Sequence, residues 1–473
     1  MSEPGSVVET HTAVVVFIGD RVYKLKKPVD LGFVDFSTVA ARRQACQREV
    51  DLNRRLAPDV YLGVADLVGV DGEVCDHLVV MRRMPTDRRL TACIERGEDV
   101  TDAVRTVARD VAALHEASDP ASERAWSHVG TVERVRANWD DNFTAMRPFA
   151  GRVFAADTLA DVERRVRRYL DGRRLLFERR IREGRIRDGH GDLQADDIFL
   201  LEDGPRVLDC LEFSDELRWG DVLNDVAFLA MDLERLGRAD LAGRFLDWHR
   251  EFTADTWPSS LADHYIAYRA HVRAKVSAIR FEQGDPGAAT LAARMLDIAA
   301  AHLAQAQVRV VLVGGLPGTG KSTLSNSLGD RLALTVLRTD EVRAGARSTD
   351  PISYGEGRYA PESIDETYDA LLAQARTLLE VGESVVLDAS WSSAPRRELA
   401  REMAEATSSD VIELRCESPL EVAVARIEAR RGAGVDASEA TPEIARQMAR
   451  RFDSWAEAAT IDTSRPLDEC IER

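Results

Sequence analysis

The first 117 residues of the chain combine a strand-like pattern with helical periodicity. Apolar residues alternate through residues 11–25 and are interrupted by Gly19 and Asp20, which predicts a β-hairpin with a tight turn. Lys24 falls on the second strand of this hairpin. Apolar positions at helical spacing predict a helix over residues 39–57 and an amphipathic helix over 101–117 with a Thr or Asp cap.

The middle of the chain is predominantly helical, with one interruption. The segment HGDLQADDIFLLEDGPRVLDCLEF predicts a loop and two short strands around an EDG turn, after which long helices continue to about Gln307. We therefore expect a loop and a hairpin embedded in a helical lobe.

Beyond residues 304–308 the pattern changes again. Strand patterns in VRVVLVGG, LALTVLRTD, SVVLDAS and DVIELRCE are separated by helical segments, which is typical of a parallel α/β sheet. The sequence therefore predicts two domains, residues 1–304 and 305–473.

Composition narrows the class of protein. The chain of 473 residues has a net charge of -18, which argues against a nucleic-acid partner. No apolar run approaches the roughly 20 residues needed to span a bilayer, and the first residues show no export signal. We therefore expect a soluble, cytoplasmic protein without a membrane partner. The scattered cysteines predict free thiols, with no zinc or disulfide framework, at Cys46, Cys75, Cys93, Cys210, Cys416 and Cys470.

Lysine is rare in this chain. Only five of the 63 basic residues are lysines: Lys24, Lys26, Lys27, Lys275 and Lys321. An ammonium group is a compact point charge, whereas guanidinium is a wide planar fork, and nucleotide sites often require the former. Lys24 and Lys321 therefore become candidate phosphate contacts.

The segment GLPGTGKST, between a predicted strand and a predicted helix, has the pattern of a phosphate-binding loop. Backbone N–H groups of Gly318 to Ser322 would face the β-phosphate of ATP, Lys321 would bridge the β- and γ-oxygens, and Ser322 would bind Mg²⁺. The predicted nucleotide-binding residues of this loop are Gly315, Gly318, Thr319, Gly320, Lys321, Ser322 and Thr323.

Two further carboxylates follow strands of the same predicted sheet. Asp340 could deprotonate an acceptor hydroxyl, with Arg343 binding an anionic part of the acceptor, although an N-cap Asp beside a solvated Arg is the alternative. Asp388 closes the next apolar strand and would reach Mg²⁺ directly or through water. Arg426 and Arg430 lie one turn apart on a predicted lid helix that would stabilise the transferring phosphoryl group, unless they belong to an ordinary charged face.

Together these motifs resemble the small P-loop kinases related to polynucleotide kinase and zeta toxin, over most of residues 308–473. The resemblance implies that Asp340 deprotonates the acceptor and that Arg343 holds an acceptor phosphate. It also implies that Asp388 orients that Arg or the metal. The acceptors of this family range from nucleic-acid ends to small metabolites.

In the N-terminal half, VYKLKKP, a helix with Glu49, HGDLQADDI and VLDCLEF occur in the order lysine, helix glutamate, catalytic loop, metal aspartate. Residues 1 to about 300 therefore resemble the aminoglycoside phosphotransferase family. The resemblance implies that Lys24 contacts the ATP phosphates and pairs with Glu49. It makes Asp192 the catalytic base and makes Asp209, with Asp197, a Mg²⁺ ligand.

Two features depart from this family. Gln194 and Asp197 replace the His and Asn of HGDLHxxN, and no glycine-rich loop precedes Lys24. Later, a basic stripe runs along a predicted helix and favours a solvated face, with contact to a phosphate or a partner as the alternative; its members are Arg269, Arg273, Lys275 and Arg280.

The sequence thus predicts a bilobal α+β protein-kinase-like domain of the aminoglycoside phosphotransferase type, followed by an α/β P-loop kinase with a parallel sheet. This combination resembles the bifunctional aminoglycoside phosphotransferase and ATP-binding proteins. The predicted activity is ATP- and Mg²⁺-dependent phosphorylation of an amino sugar, an aminoglycoside or a related polyol. Two alternatives stay open: an N-terminal pseudokinase that binds substrate or regulates, and an ATP-binding switch without a diffusible acceptor.

Overall fold

The chain forms two compact units. The computed structural model describes residues 6–9, 12–30, 35–118, 126–344, 361–433 and 441–472. The first unit comprises Met1–Val162, Phe177–Trp257 and Ala262–His302, and the second comprises Glu163–Leu176, Pro258–Leu261 and Leu303–Arg473. The predicted domain boundary at residue 304 remains a proposal. Two short segments before it, Glu163–Leu176 and Pro258–Leu261, belong to the second unit.

The first unit begins with a five-stranded antiparallel sheet of strand order β1-β2-β3-β5-β4. The strands are β1 (Ser6–Glu9), β2 (Ala13–Ile18), β3 (Arg21–Lys26), β4 (Tyr61–Val68) and β5 (Val74–Arg82). The predicted hairpin is confirmed as β2-β3, with Gly19 at a φ of 57° in the turn. Lys24 lies on β3, which is hydrogen-bonded on both sides, and its position is therefore well fixed.

Helix α1 (Val39–Asn53) packs against this sheet. It ends at Asn53, four residues before the predicted residue 57; residues 54–56 form turns, and Pro58 disfavours helical backbone at Ala57. Buried Cys46 and Val50 of α1 share a core cluster with Tyr61 and Val79 of the sheet and Phe199 of a later hairpin. Apolar burial thus joins the sheet to the loop region that carries the predicted catalytic residues.

The helical part confirms the embedded hairpin, which is formed by β7 (Ile198–Leu201) and β8 (Gly204–Val207). A second antiparallel pair joins β6 (Ile186–Asp188) to β9 (Trp219–Asp221). The helices between residues 90 and 305 are α2 (Leu90–Glu95), α3 (Thr101–Glu116), α4 (Val132–Met146), α5 (Ala156–Asp171), α6 (Arg174–Arg182), α7 (Asp215–Arg218), α8 (Val222–Arg235), α9 (Ala239–Thr253), α10 (Ser259–Glu282) and α11 (Gly287–Gln305).

Helix α3 was expected to carry a cap at its first residues. The capping interaction comes instead from Asp99, whose carboxylate accepts a hydrogen bond of 3.0 Å from the Thr101 N–H. Since the N-terminal N–H groups of a helix have no partner within the helix, a side chain just before the helix satisfies one of them.

A buried histidine predicts a pH-dependent stability of the first unit. His302 on α11 contacts Asp263 and Glu234 through its two ring nitrogens, each at 2.8 Å. Burial alone would lower its pKa, but the two carboxylates raise the pKa of His302 to about 9. Because this pKa is raised above that of an unfolded chain, the stabilisation is complete below pH ~6.5 and is lost as the pH rises through about 9.

We expect this interaction to contribute up to about 3 kcal/mol at pH 6. The unfolding temperatures of the unsubstituted protein and His302→Gln should differ clearly at pH 6 and converge by about pH 10. A constant difference across this range would contradict the prediction.

The second unit contains a five-stranded sheet in which every strand pair is parallel, in the order β11-β12-β10-β13-β14. The strands are β10 (Arg309–Gly314), β11 (Thr335–Arg338), β12 (Val385–Asp388), β13 (Asp410–Glu417) and β14 (Ala459–Asp462). The helices are α12 (Lys321–Leu332), α13 (Thr339–Ala344), α14 (Pro361–Glu380), α15 (Ala394–Ala406), α16 (Leu420–Ala433), α17 (Pro442–Ala449) and α18 (Leu467–Ile471).

The expected fold class is confirmed for both units. An α+β unit with an antiparallel sheet and a helical part is followed by an α/β unit with a P-loop and a parallel sheet. The four predicted strands of the second unit are present, and β14 was missed. Strand β14 is a short strand at the edge of the sheet, and only Ile461 of its four residues is buried. Its sequence therefore has no apolar pattern from which a strand could be predicted.

Among the described helices, none is both long enough and apolar enough to cross a membrane.

Candidate active sites

The first candidate site begins with an ionic network between the sheet and α1. Lys24 Nζ lies 2.9 Å from Glu49 Oε1 and 2.9 Å from Asp209 Oδ1. The other Glu49 oxygen lies 2.6 Å from Lys26 Nζ. Burial alone would raise the pKa of Glu49, but Lys24 and Lys26 hold it below its usual value. Glu49 is therefore a buried, charged anchor for both lysines.

Lys26 is a member of this network that the sequence analysis did not assign. It is buried and also contacts the carboxylate of Glu212. Its neighbour at i−2, Lys24, points to the same face of β3, because side chains alternate along a strand. The scarcity of lysine in the chain was the signal that could have identified it.

Two aspartates of α8 hold the predicted catalytic loop in place through hydrogen bonds to its backbone N–H groups. The backbone N–H groups of His190 and Gly191 each donate a 2.8 Å hydrogen bond to the carboxylate of Asp225. His115 Nε2 lies 2.9 Å from the same carboxylate, and Asp232 accepts a 2.9 Å bond from the Ala195 N–H. Burial alone would raise the pKa of Asp225, but its hydrogen bond to His115 and the other contacts hold it well below its usual range.

Asp192 is held by this loop at the wall of a cavity of about 460 Å³. Gln194 Nε2 donates a 2.7 Å hydrogen bond to Asp192 Oδ1. Burial raises the pKa of Asp192 to about 6, although Arg273 and Arg269 oppose the shift. A carboxylate with a pKa closer to neutrality is a better proton acceptor at neutral pH.

Asp209 follows β8 and has an unusual backbone, with a φ of 65°. Its N–H donates to Tyr61 Oη at 3.1 Å, and the next N–H, that of Cys210, donates to Asn53 Oδ1 at 2.8 Å. Attraction to Lys24 holds the pKa of Asp209 below its usual value. The strained turn directs its carboxylate toward Lys24.

Asp197, the other predicted metal ligand, is near two like charges. Burial raises the pKa of Asp197 well above its usual value, and the nearby negative charges of Asp209 and Asp192 add to this shift. Three carboxylates this close repel one another unless a cation is shared. Among the described residues, no group of three or more His, Cys, Asp or Glu side chains is placed to hold a metal ion, and Asp197 and Asp209 stay predicted Mg²⁺ ligands.

The same cavity corrects the interpretation of the basic stripe on α10. Three of its members line the cavity, namely Arg269, Arg273 and Lys275. Arg280 is exposed and lies 3.7 Å from Asp285. The expected solvated face is therefore right for Arg280 and wrong for the other three. Arg269 and Arg273 lie one helical turn apart, Lys275 follows two residues later, and all three reach the cavity.

The second candidate site is the loop between β10 and α12. Gly315 and Gly318 have φ values of 136° and 83°. A Cβ at Gly318 would lie 2.3 Å from the Ala423 carbonyl oxygen, and one at Gly315 would lie 2.4 Å from that of Cys416. Glycine is therefore required at both positions, and the loop forms a cradle of backbone N–H groups at a helix N-terminus.

The polar side chains of this loop brace it. Thr319 Oγ1 and Lys321 Nζ both donate to the Leu316 carbonyl oxygen, at 2.7 Å and 3.0 Å. Thr463 Oγ1 donates to the Thr319 carbonyl oxygen at 2.6 Å. Lys321 therefore lies across the loop. When a nucleotide binds, its ammonium group can replace the hydrogen bond to the Leu316 carbonyl oxygen by bonds to phosphate oxygens.

Arg338 is a residue of this site that the sequence analysis missed. It ends β11 directly opposite Asp388 of β12. Its guanidinium donates to Asp388 Oδ2 at 3.2 Å and to Ser322 Oγ at 3.0 Å. Arg338 thus joins the two side chains that the sequence assigned to Mg²⁺. Nothing in the sequence separates it from the many other arginines of the chain.

The structure describes the side chains of only some of the remaining predicted residues of the second site. Asp340 is partly buried in the first turn of α13. Arg426 on α16 donates to the Thr463 carbonyl oxygen at 2.9 Å and lines a cavity of about 440 Å³ with Gly318, Gly320 and Thr323. The side chains of Arg343 and Arg430 lie outside the described part of the structure.

Comparison with known proteins gives a family model described as AAA domain, which matches residues 310–455. The uncharacterized protein Rv2004c of Mycobacterium tuberculosis is 44% identical over 470 residues, covering 98% of this chain and 93% of that protein. The uncharacterized protein Mb2027c of Mycobacterium bovis matches with the same identity and coverage.

Two solved structures are similar to separate parts of the chain. A choline kinase from Cryptosporidium parvum Iowa II matches with 10% identity and a TM-score of 0.41, covering 64% of this chain and 88% of that one. The Mycobacterium tuberculosis APS kinase CysC matches with 23% identity and a TM-score of 0.28, covering 35% of this chain and 94% of that one.

Proposed function

The chain belongs to the family of Rv2004c over nearly its whole length, and we propose that the protein is an ATP-dependent phosphotransferase with two kinase sites. The acceptor is the hydroxyl group of a small molecule, an amino sugar, an aminoglycoside or a related polyol. The label of bifunctional aminoglycoside phosphotransferase belongs to this proposal.

One observation carries the proposal. Lys24 is held by Glu49, contacts Asp209, and lines the same cavity as Asp192. A cation for phosphate oxygens, a carboxylate for a metal and a carboxylate for a proton are the parts that phosphoryl transfer requires. A purely structural salt-bridge network would not need a separate carboxylate whose pKa is raised to about 6.

These side chains support a specific sequence of events. Asp192 accepts the proton of the acceptor hydroxyl as its oxygen bonds to the γ-phosphorus of ATP. The bond from that phosphorus to the β,γ-bridging oxygen breaks, and ADP leaves. Lys24 binds phosphate oxygens, and Asp209 with Asp197 would hold Mg²⁺, which neutralises phosphate charge when bound.

The second site is proposed to transfer phosphate by an independent set of residues. The glycine cradle and Lys321 would bind the ATP phosphates, Ser322 and Asp388 would hold Mg²⁺, and Asp340 would deprotonate the acceptor. Arg343, Arg426 and Arg430 would stabilise the charge on the transferring group. Arg338 would have to release Ser322 and Asp388 for the metal, since it now joins them.

A pseudokinase in the first unit is the second candidate. The β2-β3 turn contains a single glycine, Gly19, so its backbone offers no glycine-rich loop for the ATP phosphates. An ATP-binding switch is the third candidate, although a switch needs no hydroxyl base such as Asp340.

The proposal is tested by transfer from γ-labelled ATP with Mg²⁺ to a panel of aminoglycosides, amino sugars, nucleosides and oligonucleotide ends. We expect label on at least one small-molecule acceptor. Release of free phosphate alone, or no turnover, would contradict a phosphotransferase for this panel and would favour the switch.

A further inference from the structure

The charges around the Asp192 cavity are not balanced. Each of the other carboxylates that line it has a cationic partner: Asp209 pairs with Lys24, Glu212 with Lys26, Glu216 with Arg134, and Asp221 with Arg180. Arg269, Arg273 and Lys275 line the same cavity, and in the described part of the chain none of them forms an ion pair with a carboxylate. The cavity therefore has an excess of cations on its α10 side.

The hydrogen bonds of Arg269 and Lys275 are to neutral groups, while Asp192 attracts Arg273 and Arg269 across the cavity and Asp141 attracts Lys275. Arg269 donates to the Asn224 carbonyl oxygen at 3.0 Å and lies over the ring of Phe228. Lys275 donates to Asn142 Oδ1. Burial lowers the pKa of Lys275. Partly buried cations that form no ion pair with a carboxylate are costly to the fold, and a bound anion would reduce this cost.

From this arrangement we propose that, of the acceptor classes named above, the first site takes a related polyol rather than an amino sugar or an aminoglycoside, and that this polyol is an anion whose carboxylate or phosphate group is held by Arg273 and Lys275. Its hydroxyl faces Asp192, so the inference rests on the function proposed for that residue. A cavity of about 460 Å³ accommodates a molecule of monosaccharide size.

The cavity also offers a hydrogen-bond acceptor to a neutral hydroxyl group of the acceptor molecule. Asn224 Oδ1 lines the cavity, is buried, and has no hydrogen-bond partner among the described residues. A buried acceptor atom without a donor costs about 1–3 kcal/mol, and a sugar hydroxyl would supply the donor. Recognition thus combines one anionic group with hydroxyl groups, and an ammonium group at the α10 side would be repelled.

Binding without turnover tests this inference. Saturation-transfer NMR on the full chain carrying Lys321→Ala would compare glucose, glucosamine, glucuronate and glucose 6-phosphate. We expect glucuronate or glucose 6-phosphate to bind at least about tenfold more tightly than glucosamine, as one charge-assisted hydrogen bond would produce. Preference for one of these two identifies the anion as carboxylate or phosphate.

Matched variants locate the effect. The double variant Arg273→Gln with Lys275→Gln should lose the anion preference, measured as the ratio of the affinities for glucuronate and glucose, and Arg273→Lys should retain part of it. Arg280→Gln, on the same helix but outside the cavity, should behave like the unsubstituted protein, and equal unfolding temperatures would show that all variants are folded.

Tighter binding of glucosamine, equal effects of the Arg280 and Arg273 variants, or no binding of any of the four sugars would overturn the inference. Because no ATP is present, the result is separate from the proposed function. If the anionic sugars bind but no phosphate is transferred in the labelling assay, the proposed phosphotransferase function is contradicted and the anion site is not.

Discussion

Replacing Asp192 by Asn is expected to lower phosphotransfer by the first site by about 10²–10⁴-fold, the usual contribution of a general base. The substitution keeps the size of the side chain and its contact with Gln194, but it removes the only carboxylate of the cavity, among the described residues, that has no cationic ion-pair partner. The expected change is in kcat, since proton removal occurs in the transition state.

The measurement is the initial rate of labelled product formation in the Lys321→Ala background, where the second site is silent. Asp203→Asn, in the exposed turn between β7 and β8, serves as the matched control because its exposed carboxylate pairs, among the described residues, with Arg206 alone. An unchanged rate in Asp192→Asn would exclude it as the base and favour the pseudokinase.

Replacing Lys321 by Ala is expected to lower turnover by the second site by about 10²–10³-fold, the effect of removing one charge-stabilising donor from a transition state. Lys321 is the single lysine of the second unit, and its ammonium lies across the glycine cradle on Leu316. An arginine would be a poor substitute, because a wide guanidinium fork does not replace a compact charge between β- and γ-oxygens.

This prediction is checked by ATP turnover in the Asp192→Asn background, so that the two sites are measured apart. Arg331→Ala is the matched control, because Arg331 lies on the same helix, is exposed, and contacts Asp468 away from the loop. Full turnover in Lys321→Ala would show that the loop binds no productive ATP. Complete loss in Lys321→Ala alone, with no effect of Asp192→Asn, would favour an inactive first unit.

The fold was largely predictable because its elements differ in apolar periodicity. Strands β10 and β12 are buried on both faces and appear as continuous apolar runs, whereas the β2-β3 hairpin alternates around Gly19. The edge strand β14 could not be predicted, since one buried residue gives no period. The end of α1 was predicted four residues too late, because apolar Leu56 and Ala57 continue the pattern beyond the last helical residue, Asn53.

The candidate sites were predictable only where a motif fixes both residue type and spacing. The loop residues 315–323 and the order of Lys24, Glu49, Asp192 and Asp209 carry such motifs. Residues that position these groups could not be recognised: Arg338 resembles every other arginine, and Asp225 acts through backbone N–H groups that leave no trace in the sequence. The α10 stripe was misassigned because amphipathicity does not distinguish solvent from a polar cavity.

The two early segments that group with the second unit bear on how the protein can be divided for experiment. Arg173 donates a 2.7 Å hydrogen bond to the Thr407 carbonyl oxygen, and Ser260 Oγ donates one of 2.7 Å to that of Gly382. A fragment beginning at residue 305 would leave these carbonyl groups without their donors. Expression of the P-loop half alone would therefore yield a destabilised, aggregation-prone fragment, and loss of its activity would say nothing about its catalytic residues.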